Sequence, residues 1–304
     1  METFKIHILG CGSALPTIRH FPSAQIIETK DKAYIVDCGE GTQIQLRHSG
    51  IRFSRIEAVF ISHLHGDHCL GLIGLLSTFS LLGRITPLHI YAPAAYEEMF
   101  AAQMELFCPY TGYDISFHPV DTTAATVIHE NGNITVSTLP LEHRVPCCGY
   151  LFREKPSLPH IRKDMIDLYK IPVKMIDGIK NGGGWTTEDG VTVPHELLVT
   201  PSDEPRSYAY CSDTRYLPEL HKMIKGVSTL YHETTYCDDK ATHAADYYHS
   251  TARQAATVAR DAGAGKLLIG HYSSKYTDES LFLNEAKEVF DNTFLTDELL
   301  VFDV

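Results

Sequence analysis

The sequence predicts an α/β protein in which two β-sheets pack face to face, with helices on the outside. Short apolar and β-branched runs alternate with helix-like stretches in both halves of the 304-residue chain. Several of these runs lead into histidine or aspartate, at the position where α/β proteins place their chemistry. Between the halves, a segment rich in proline and glycine interrupts the pattern.

Four strands and two helices are predicted in the first half. The strands are Phe4–Leu9, Ala24–Glu28, Ala33–Cys38 and Ile56–Ile61. The first strand turns at Gly10-Cys11-Gly12-Ser13, and the third leads through Asp37–Gly41 into a helix. A second helix is predicted for Cys69–Leu82, which is apolar and contains small residues.

The second half repeats this arrangement. Strands are predicted at Ile134–Leu139, at Ser207–Cys211, at Lys266–Ile269 and at a run that ends within Leu230–Thr235. A helix is predicted for Thr251–Ala262, with Ser250 or Thr251 as its N-cap.

A dense cluster of metal-ligand side chains follows the fourth strand. His63, His65, Asp67 and His68 lie within Ser62-His63-Leu64-His65-Gly66-Asp67-His68. Imidazole and carboxylate together suit Zn²⁺ and neighbouring transition metals. His63 and His65 point the same way in an extended segment, whereas Asp67 and His68 follow the turn and can face a second ion. A solvated histidine-rich loop is the alternative, but this spacing beside a buried strand favours a metal site.

Composition limits the range of functions. The net charge of −12 argues against nucleic-acid binding through the whole surface, although it leaves room for a local basic patch. No apolar stretch reaches membrane-spanning length and the amino-terminal run lacks a signal-peptide layout, so we expect a cytoplasmic protein. The eight cysteines form no Cys-x-x-Cys motif, so we expect buried thiols and no disulfide-linked partner.

The segment from Arg153 to Pro205 predicts a protruding arm. It contains six prolines, the run Asn181-Gly182-Gly183-Gly184 and a short predicted helix at Arg162–Tyr169. From Arg153 to Gly183, seven Lys or Arg against four Asp or Glu leave a local charge of +3. Long loops inside compact domains are uncommon unless they are functional, although a plain surface insertion is the alternative.

The His-x-His-x-Asp-His pattern resembles the signature of the metallo-β-lactamase superfamily, and the likeness extends along the whole chain. Two further segments resemble one branch of it, ribonuclease Z in its short form. His232-Glu233-Thr234-Thr235 is similar to that family's His-Glu-Ala-Thr motif, and His249-Ser250-Thr251 to its His-Ser-Thr motif. The resemblance implies a four-layer αββα sandwich, a single domain over residues 1–304 and an inserted tRNA-binding arm at about 153–190.

The resemblance also implies an activity and the residues that perform it. The activity is a zinc-dependent endoribonuclease that removes the 3′ trailer from precursor tRNA, leaving a 3′-hydroxyl on the tRNA and a 5′-phosphate on the trailer. Of two zinc ions per chain, one is held by His63, His65 and His143 and the other by Asp67, His68 and His271, while Asp213 bridges them. Other divalent transition metals would fit the same ligands. Standing alone after its strand, His143 or His271 is more simply an ordinary hydrogen-bonded histidine.

The implied catalytic residues are His249 as general acid, Glu233 as the carboxylate that orients it, and Asp67 as general base. A structural strand-end and helix-cap pair is the alternative for Glu233 and His249. The implied partners are precursor tRNA, gripped by basic arm residues such as Arg162, Lys163 and Lys174, and a second copy of the chain in a homodimer.

Two departures from the family and two rival functions stay open. The family's Pro-x-Lys-x-Arg-Asn loop is unmatched beyond Pro16 in the stretch Pro16–Pro22, which puts the cut position in question. The arm lacks the usual Gly-Pro pair and has Ile171–Met175 instead. The rivals are a phosphodiesterase of the same fold acting on a cyclic nucleotide or other small phosphodiester, and a non-catalytic nucleic-acid-binding protein.

Overall fold

Two seven-stranded sheets form the centre of the protein in the computed structural model, which describes residues 3–15 and 17–304. In spatial order, the first sheet contains Val301–Asp303 (β18), Phe4–Gly10 (β1), Ala24–Thr29 (β2), Ala33–Val36 (β3), Ile56–Phe60 (β4), Leu88–Pro93 (β5) and Ile115–Val120 (β6). The second contains Thr293–Leu295 (β17), Leu267–Gly270 (β16), Thr229–Glu233 (β15), Ser207–Cys211 (β14), Cys147–Glu154 (β9), Ile134–Leu141 (β8) and Val127–Glu130 (β7). Pro16, compared above with a family loop, lies outside the described residues.

In the first sheet, successive residues of a strand face two different cores, as the two-residue period of a strand requires. Tyr34 and Phe60 of the first sheet face the second sheet, where Phe60 meets Phe152 edge-on with ring centroids 5.6 Å apart. Their neighbours Ile35 and Val59 face the opposite way, into a separate core against helices. The predicted pair of facing sheets is therefore confirmed, with helices covering the outer faces.

The outer helices belong to the two halves of the chain. Those of the first half are Thr42–Ser49 (α1), Gly66–Cys69 (α2), Leu72–Leu81 (α3) and Glu97–Phe107 (α4). Those of the second half are Leu220–Met223 (α8), Ala241–Asp246 (α9), Ala252–Ala262 (α10) and Ser280–Lys287 (α11). Single 3₁₀ turns lie at Phe53–Arg55, Ala94–Tyr96, Val173–Met175 and Asp238–Lys240. Within residues 3–15 and 17–304, no helix combines the length and apolar character needed to cross a bilayer.

The predicted helix Cys69–Leu82 is wrong at its start. The chain forms α2 first, breaks at Leu70 and Gly71, and begins α3 at Leu72. The break arises because Gly71 lies against the backbone of Gly39, where an added Cβ would come within 2.0 Å of the Gly39 carbonyl oxygen. By contrast, α10 begins as predicted, with Thr251 and Gln254 forming a reciprocal capping box.

The inserted segment between β9 and β14 folds around a small core of its own. Its elements are His160–Ile161 (β10), Lys163–Tyr169 (α5), Ile176–Lys180 (α6), Trp185–Thr186 (β11), Thr192–Val193 (β12), His195–Leu198 (α7) and Val199–Thr200 (β13). Ile171, Ile179, Val193 and Leu198 are buried together at its centre. We refer to residues 155–206 as the arm; the chain returns to the second sheet at Ser207.

Candidate functional site

The histidine-rich turn connects β4 to α2 and is held from below by the loop that follows β3. The Cys38 N–H donates to the carbonyl of His68, and the Gly71 N–H donates to the carbonyl of Cys38, each at 2.8 Å. Gly39 is required there because an added Cβ would lie 2.5 Å from the Asp67 carbonyl oxygen. The Asp-Cys-Gly-Glu-Gly stretch of the sequence thus fixes the backbone that carries the predicted ligands.

Three imidazoles and one carboxylate form a first group of converging side chains. Nδ1 of His65 lies 3.1 Å from Nε2 of His63 and 3.1 Å from Nε2 of His143. Oδ2 of Asp213 lies 3.7 Å from the first of these Nε2 atoms and 3.8 Å from the second. All four donor atoms lie within 4.8 Å of one another, a spacing suited to one shared cation.

A second group shares the same aspartate. Nε2 of His68 lies 3.4 Å from Nε2 of His271 and 3.3 Å from Oδ2 of Asp67, and the latter two atoms are 3.4 Å apart. Oδ1 of Asp213 lies 3.5 Å from the His68 nitrogen and 3.2 Å from the His271 nitrogen. Four ligands placed about 2.0–2.1 Å from one ion in a tetrahedron are separated by roughly 3.3 Å, so this group has the dimensions of a transition-metal site.

Four of the five histidines in the two groups are oriented by a bond at the ring nitrogen that faces away from the site. Nδ1 of His68 donates to Asp37 at 2.7 Å, Nδ1 of His143 donates to the carbonyl of Tyr248 at 2.9 Å, and Nδ1 of His271 donates to Thr235 Oγ1 at 2.8 Å. Nδ1 of His63 likewise lies 3.0 Å from Ser62 Oγ. These bonds leave the Nε2 lone pairs directed into the site, which is the arrangement that metal-binding histidines show.

The buried carboxylate of Asp213 indicates whether these residues fit a metal. It is 2% exposed, and its Oδ1 has no hydrogen-bond partner among the described residues. A carboxyl oxygen buried without a hydrogen bond is costly, and a cation between the two groups would remove that cost. Burial and the neighbouring imidazoles lower the pKa of His63 well below its usual value, so its Nε2 is a free electron-pair donor at neutral pH. The seven residues therefore fit two metal ions, and their role as ligands stays a prediction.

Glu233 and His249 form a buried ion pair next to both groups. Oε1 of Glu233 accepts a bond of 3.0 Å from Nδ1 of His249 and one of 2.9 Å from the Ser250 N–H. Its Oε2 accepts from the Thr235 N–H and hydroxyl at 2.9 and 2.7 Å. The carboxylate thus comes from the last residue of β15, and the imidazole from the segment that leads into α10.

The pair is charged at neutral pH. Burial alone lowers the pKa of His249, but the Glu233 carboxylate and Asp213 outweigh it and raise that pKa to about 9. Burial raises the pKa of Glu233, but the His249 charge and the hydrogen bonds lower it to about 2. Because Nδ1 is bound to Glu233, the acidic proton available to a ligand is the one on Nε2 of His249.

An open cavity of about 440 Å³ gives access to this chemistry. His65, Asp67, Asp213, His249 and His271 line its floor, and its rim is formed by Ser13, Ala14, Pro22, Glu40, Arg144, Tyr236 and Tyr247, among others. Backbone strain concentrates here, because Asp37, Tyr248 and His271 have φ angles of 57°, 59° and 64°. Such strain persists where the surrounding structure enforces it, as functional sites often do.

Comparison with known proteins places this site in a family. A family model described as "Anti-Pycsar protein Apyc1" matches residues 4–152 and stops just before the arm. Ribonuclease Z of Bacteroides fragilis is 50% identical over 300 residues, which cover 99% of each chain. The chain belongs to the ribonuclease Z family.

Solved structures agree with this assignment at the level of the fold. Human tRNase Z, short form, has a TM-score of 0.71 at 23% identity, with 99% of both chains covered. The metallo-β-lactamase fold protein YhfI of Bacillus subtilis has a TM-score of 0.69 at 20% identity and also covers 99% of both chains. The αββα sandwich predicted for a ribonuclease Z is therefore confirmed.

Asp37, for which the sequence predicted no role, supports the candidate site. Its buried carboxylate accepts bonds from His68, from the Ser62 N–H at 2.8 Å and from the Tyr210 hydroxyl at 2.7 Å. It therefore ties both sheets to one candidate ligand. The available signal was an acidic residue at a strand end followed directly by glycines.

The loop that carries Ser13 and Ala14 is anchored by a buried histidine. Nε2 of His20 lies 2.6 Å from Glu279, and its Nδ1 lies 2.8 Å from Glu298. Burial opposes the charge, but bonds to the Cys11 thiol and both carboxylates raise the pKa of His20 to about 12. Its imidazolium therefore joins the loop at the cavity rim to the carboxyl-terminal part of the chain.

We predict that His20→Gln lowers the free energy of unfolding, because it removes the buried cation that bonds Glu298 and leaves Glu279 with only the exposed Arg19. Breaking such a buried pair costs about 3–5 kcal/mol. Because folding raises the pKa of His20, its positive charge stabilises the folded state fully below a pH of about 6.5, the pKa of histidine in the unfolded chain. Above that pH, this stabilisation falls by about 1.4 kcal/mol per pH unit. Urea titrations should show a smaller loss at pH 9 than at pH 6. Arg19→Gln, which removes the exposed partner of Glu279, is the matched control; an equal loss for His20→Gln at both pH values would contradict the assignment.

All eight cysteines are buried and carry free thiols. Burial raises the pKa of Cys148 to about 12 and that of Cys147 well above its usual value, so both are protonated thiols at neutral pH. The vicinal pair beside His143 has the properties of packing residues.

The predicted arm residues lie apart from the cavity lining. Lys163 and Lys174 are exposed, whereas Arg162 pairs with Asp164 at 2.6 Å. Lys155 at the base of the arm pairs with Glu130. Their contact with tRNA stays a prediction.

Proposed function

We propose that this member of the ribonuclease Z family is a metal-dependent endoribonuclease that removes the 3′ trailer from precursor tRNA. Cleavage would leave a 3′-hydroxyl on the tRNA and a 5′-phosphate on the trailer. The observation that carries the proposal is the pairing of two converging ligand groups, joined by Asp213, with a charged Glu233–His249 pair at one cavity.

The proposed cofactor is two zinc ions per chain, although other divalent transition metals fit the same donors. His63, His65 and His143 would hold one ion, Asp67, His68 and His271 the other, and Asp213 would contact both. Bound there, the ions would neutralise phosphate charge, orient in-line displacement and lower the pKa of water.

The chain itself supplies the proton transfers. Asp67 lines the cavity floor and is the proposed base for the attacking water. His249 carries an acidic proton on Nε2 and is the proposed donor to the departing ribose 3′ oxygen. Glu233 positions His249 through Nδ1 and keeps the imidazole charged, while backbone N–H groups hold the carboxylate in place.

The arm is proposed to grip the body of the tRNA. Its exposed lysines, such as Lys163 and Lys174, project from a unit with its own core, which lies outside the ligand framework. Backbone phosphates reward such cations through counterion release, and the resulting affinity falls as salt rises.

We predict that replacing Lys155–Gly183 with a short Gly/Ser linker weakens tRNA binding and flattens its salt dependence. Hydrolysis of a small chromogenic phosphodiester should persist, because the cavity residues are untouched. Fluorescence anisotropy over a salt series, with metal content checked, measures both effects. The companion variant is Lys163/Lys174→Gln, which keeps the arm's core; it should weaken tRNA binding and lower the salt slope by about one per lysine removed. Unchanged tRNA cleavage by the linker variant would remove the arm from recognition.

A homodimer is proposed as well, as the family resemblance implies. Helices α3 and α4 pack together, and large apolar side chains at their carboxyl-terminal ends and just after α3 are exposed: Leu81, Leu82, Ile85, Leu106 and Phe107 are between 42 and 85% exposed. Monomeric proteins seldom leave extensive apolar surface in water. Sedimentation at micromolar concentration should give about twice the chain mass, and a monomer would contradict this proposal.

The rival activity on a small phosphodiester would need the two ligand groups but not the arm, so one experiment separates the two activities. The deciding experiment incubates the protein with a precursor tRNA and with bis(p-nitrophenyl) phosphate, and maps any RNA cut by primer extension. We expect one cut at the trailer junction, lost on chelation and restored by zinc. Hydrolysis of the small ester without any RNA cut would favour the rival.

A further inference from the structure

Aromatic and cationic side chains form a cluster on the cavity rim beside His249, and the proposed mechanism uses none of them. The guanidinium of Arg144 lies 5.1 Å over the ring of Tyr247, and the His243 ring lies 4.4 Å from that ring. His243 in turn meets Tyr236 edge-on at 5.1 Å, and Lys275 Nζ lies 3.3 Å from Nε2 of His243. We call these five residues the rim cluster.

The rim cluster carries cations that lack acidic partners. Among the described residues, no carboxylate lies within 4.0 Å of Arg144 or Lys275, whereas Arg55, Arg206 and Arg215 each pair with a glutamate. In a chain with a net charge of −12, leaving such cations at a cavity rim favours an anionic ligand.

The ring of Tyr247 is available for stacking. Tyr247 is 42% exposed, whereas Tyr236 beneath it is 7% exposed and closes the floor of the cluster. Aromatic rings and Arg guanidinium planes are the surfaces on which proteins stack unpaired nucleobases.

The position of the cluster selects one nucleotide. Tyr236 lies 6.1 Å from His249 between ring centroids, and His249 is the proposed donor to the ribose 3′ oxygen that leaves. The nucleoside that owns this oxygen is the last one retained in the tRNA, so its base must lie within the reach of one nucleotide from His249, and the rim cluster lies within that reach.

We propose that the rim cluster is the subsite for the last retained nucleotide of the tRNA. Its base stacks on Tyr247 and Arg144, and Lys275 and Arg144 face the phosphates that flank it. This inference rests on the proposed function. Because stacking uses the π-face that every base has, the subsite accepts all four bases.

The test compares two precursor tRNAs that differ only at this nucleotide, which is either natural or abasic. The wild-type enzyme should cut the natural precursor about 5- to 100-fold faster in kcat/KM, the range that base stacking supplies. In Tyr247→Ala the ratio should fall to near unity, while Tyr247→Phe should keep it. Tyr110→Ala, which removes a tyrosine that is 91% exposed and does not line the cavity, is the matched control and should also keep it.

Arg144→Ala is a second test that does not depend on Tyr247, and it should reduce the natural-to-abasic ratio of kcat/KM. Arg144→Lys should show the same reduced ratio, since an ammonium group cannot stack on a base. If Tyr247→Ala and Arg144→Ala both keep the wild-type ratio, the subsite is overturned. It is likewise overturned if the wild-type enzyme cuts both precursors equally fast. A wild-type enzyme that cuts neither precursor overturns the proposed function itself.

Discussion

Asp213→Ala should abolish binding at both proposed metal positions and, with it, RNA cleavage. The two oxygens of this carboxylate face different groups, with Oδ2 toward His63 and His143 and Oδ1 toward His68 and His271. Metal analysis should find about two ions per chain in the wild type and well below one in the variant. Asp291→Ala, which removes an exposed carboxylate far along the chain, should keep the wild-type content.

Asp37→Asn tests the two metal positions separately, because the Asp37 carboxylate orients a ligand of the second group only. Its carboxylate holds Nδ1 of His68 and contacts no residue of the first group except through Ser62. Losing such an orienting carboxylate typically weakens metal affinity about 10- to 100-fold. Competition with a chelator should therefore show one weakened ion and one of wild-type affinity in Asp37→Asn, whereas Asp213→Ala binds neither ion. Two equally weakened ions in Asp37→Asn would refute the assignment of Asp37 to one group.

The candidate ligands could be found in the sequence because their signal is local. His63 to His68 follow a short β-branched run directly, and Asp213 and His271 each come within two residues of a strand end. Residue type and neighbouring strand are both readable from a few positions, whereas the grouping of these side chains into two sites was implied by the family resemblance.

Contacts between residues far apart in the sequence could not be predicted from such local patterns. Asp37 bonds Tyr210 over 173 positions, and His20 bonds Glu298 over 278. Nothing near either residue indicates its partner. The facing of the two sheets brings Tyr210 to Asp37, and the pairing of β18 with β1 brings Glu298 to His20. The break between α2 and α3 has the same origin, because it depends on the approach of Gly39 to Gly71. The run Val301–Asp303 (β18) is too short to be predicted as a strand, and it forms one by pairing with β1.

His249→Ala should slow cleavage of precursor tRNA by about 10²- to 10⁴-fold, the contribution typical of a positioned general acid. Metal content should stay at the wild-type level, because His249 belongs to neither proposed ligand set. His48→Ala, which removes an exposed histidine of α1, is the matched control and should cleave normally.

The leaving group separates acid catalysis from a structural role. A ribose 3′ oxygen departs as a strongly basic alkoxide and needs a proton, whereas p-nitrophenolate departs without one. The loss in His249→Ala should therefore be much smaller for bis(p-nitrophenyl) phosphate than for precursor tRNA. A strand-end and helix-cap pair that only holds β15 against α10 predicts equal losses on both substrates.

Glu233 acts through His249 in this scheme, and a double variant tests that dependence. Glu233→Gln keeps the size of the side chain but removes the charge that orients the imidazole and holds its pKa near 9. It should slow RNA cleavage strongly on its own, yet add little to His249→Ala, because residues that act as a unit are non-additive. Single-turnover rates of the wild type, both single variants and the double variant close the cycle. Fully additive losses would mean that Glu233 contributes independently of His249, and its role as the positioning carboxylate would then be wrong.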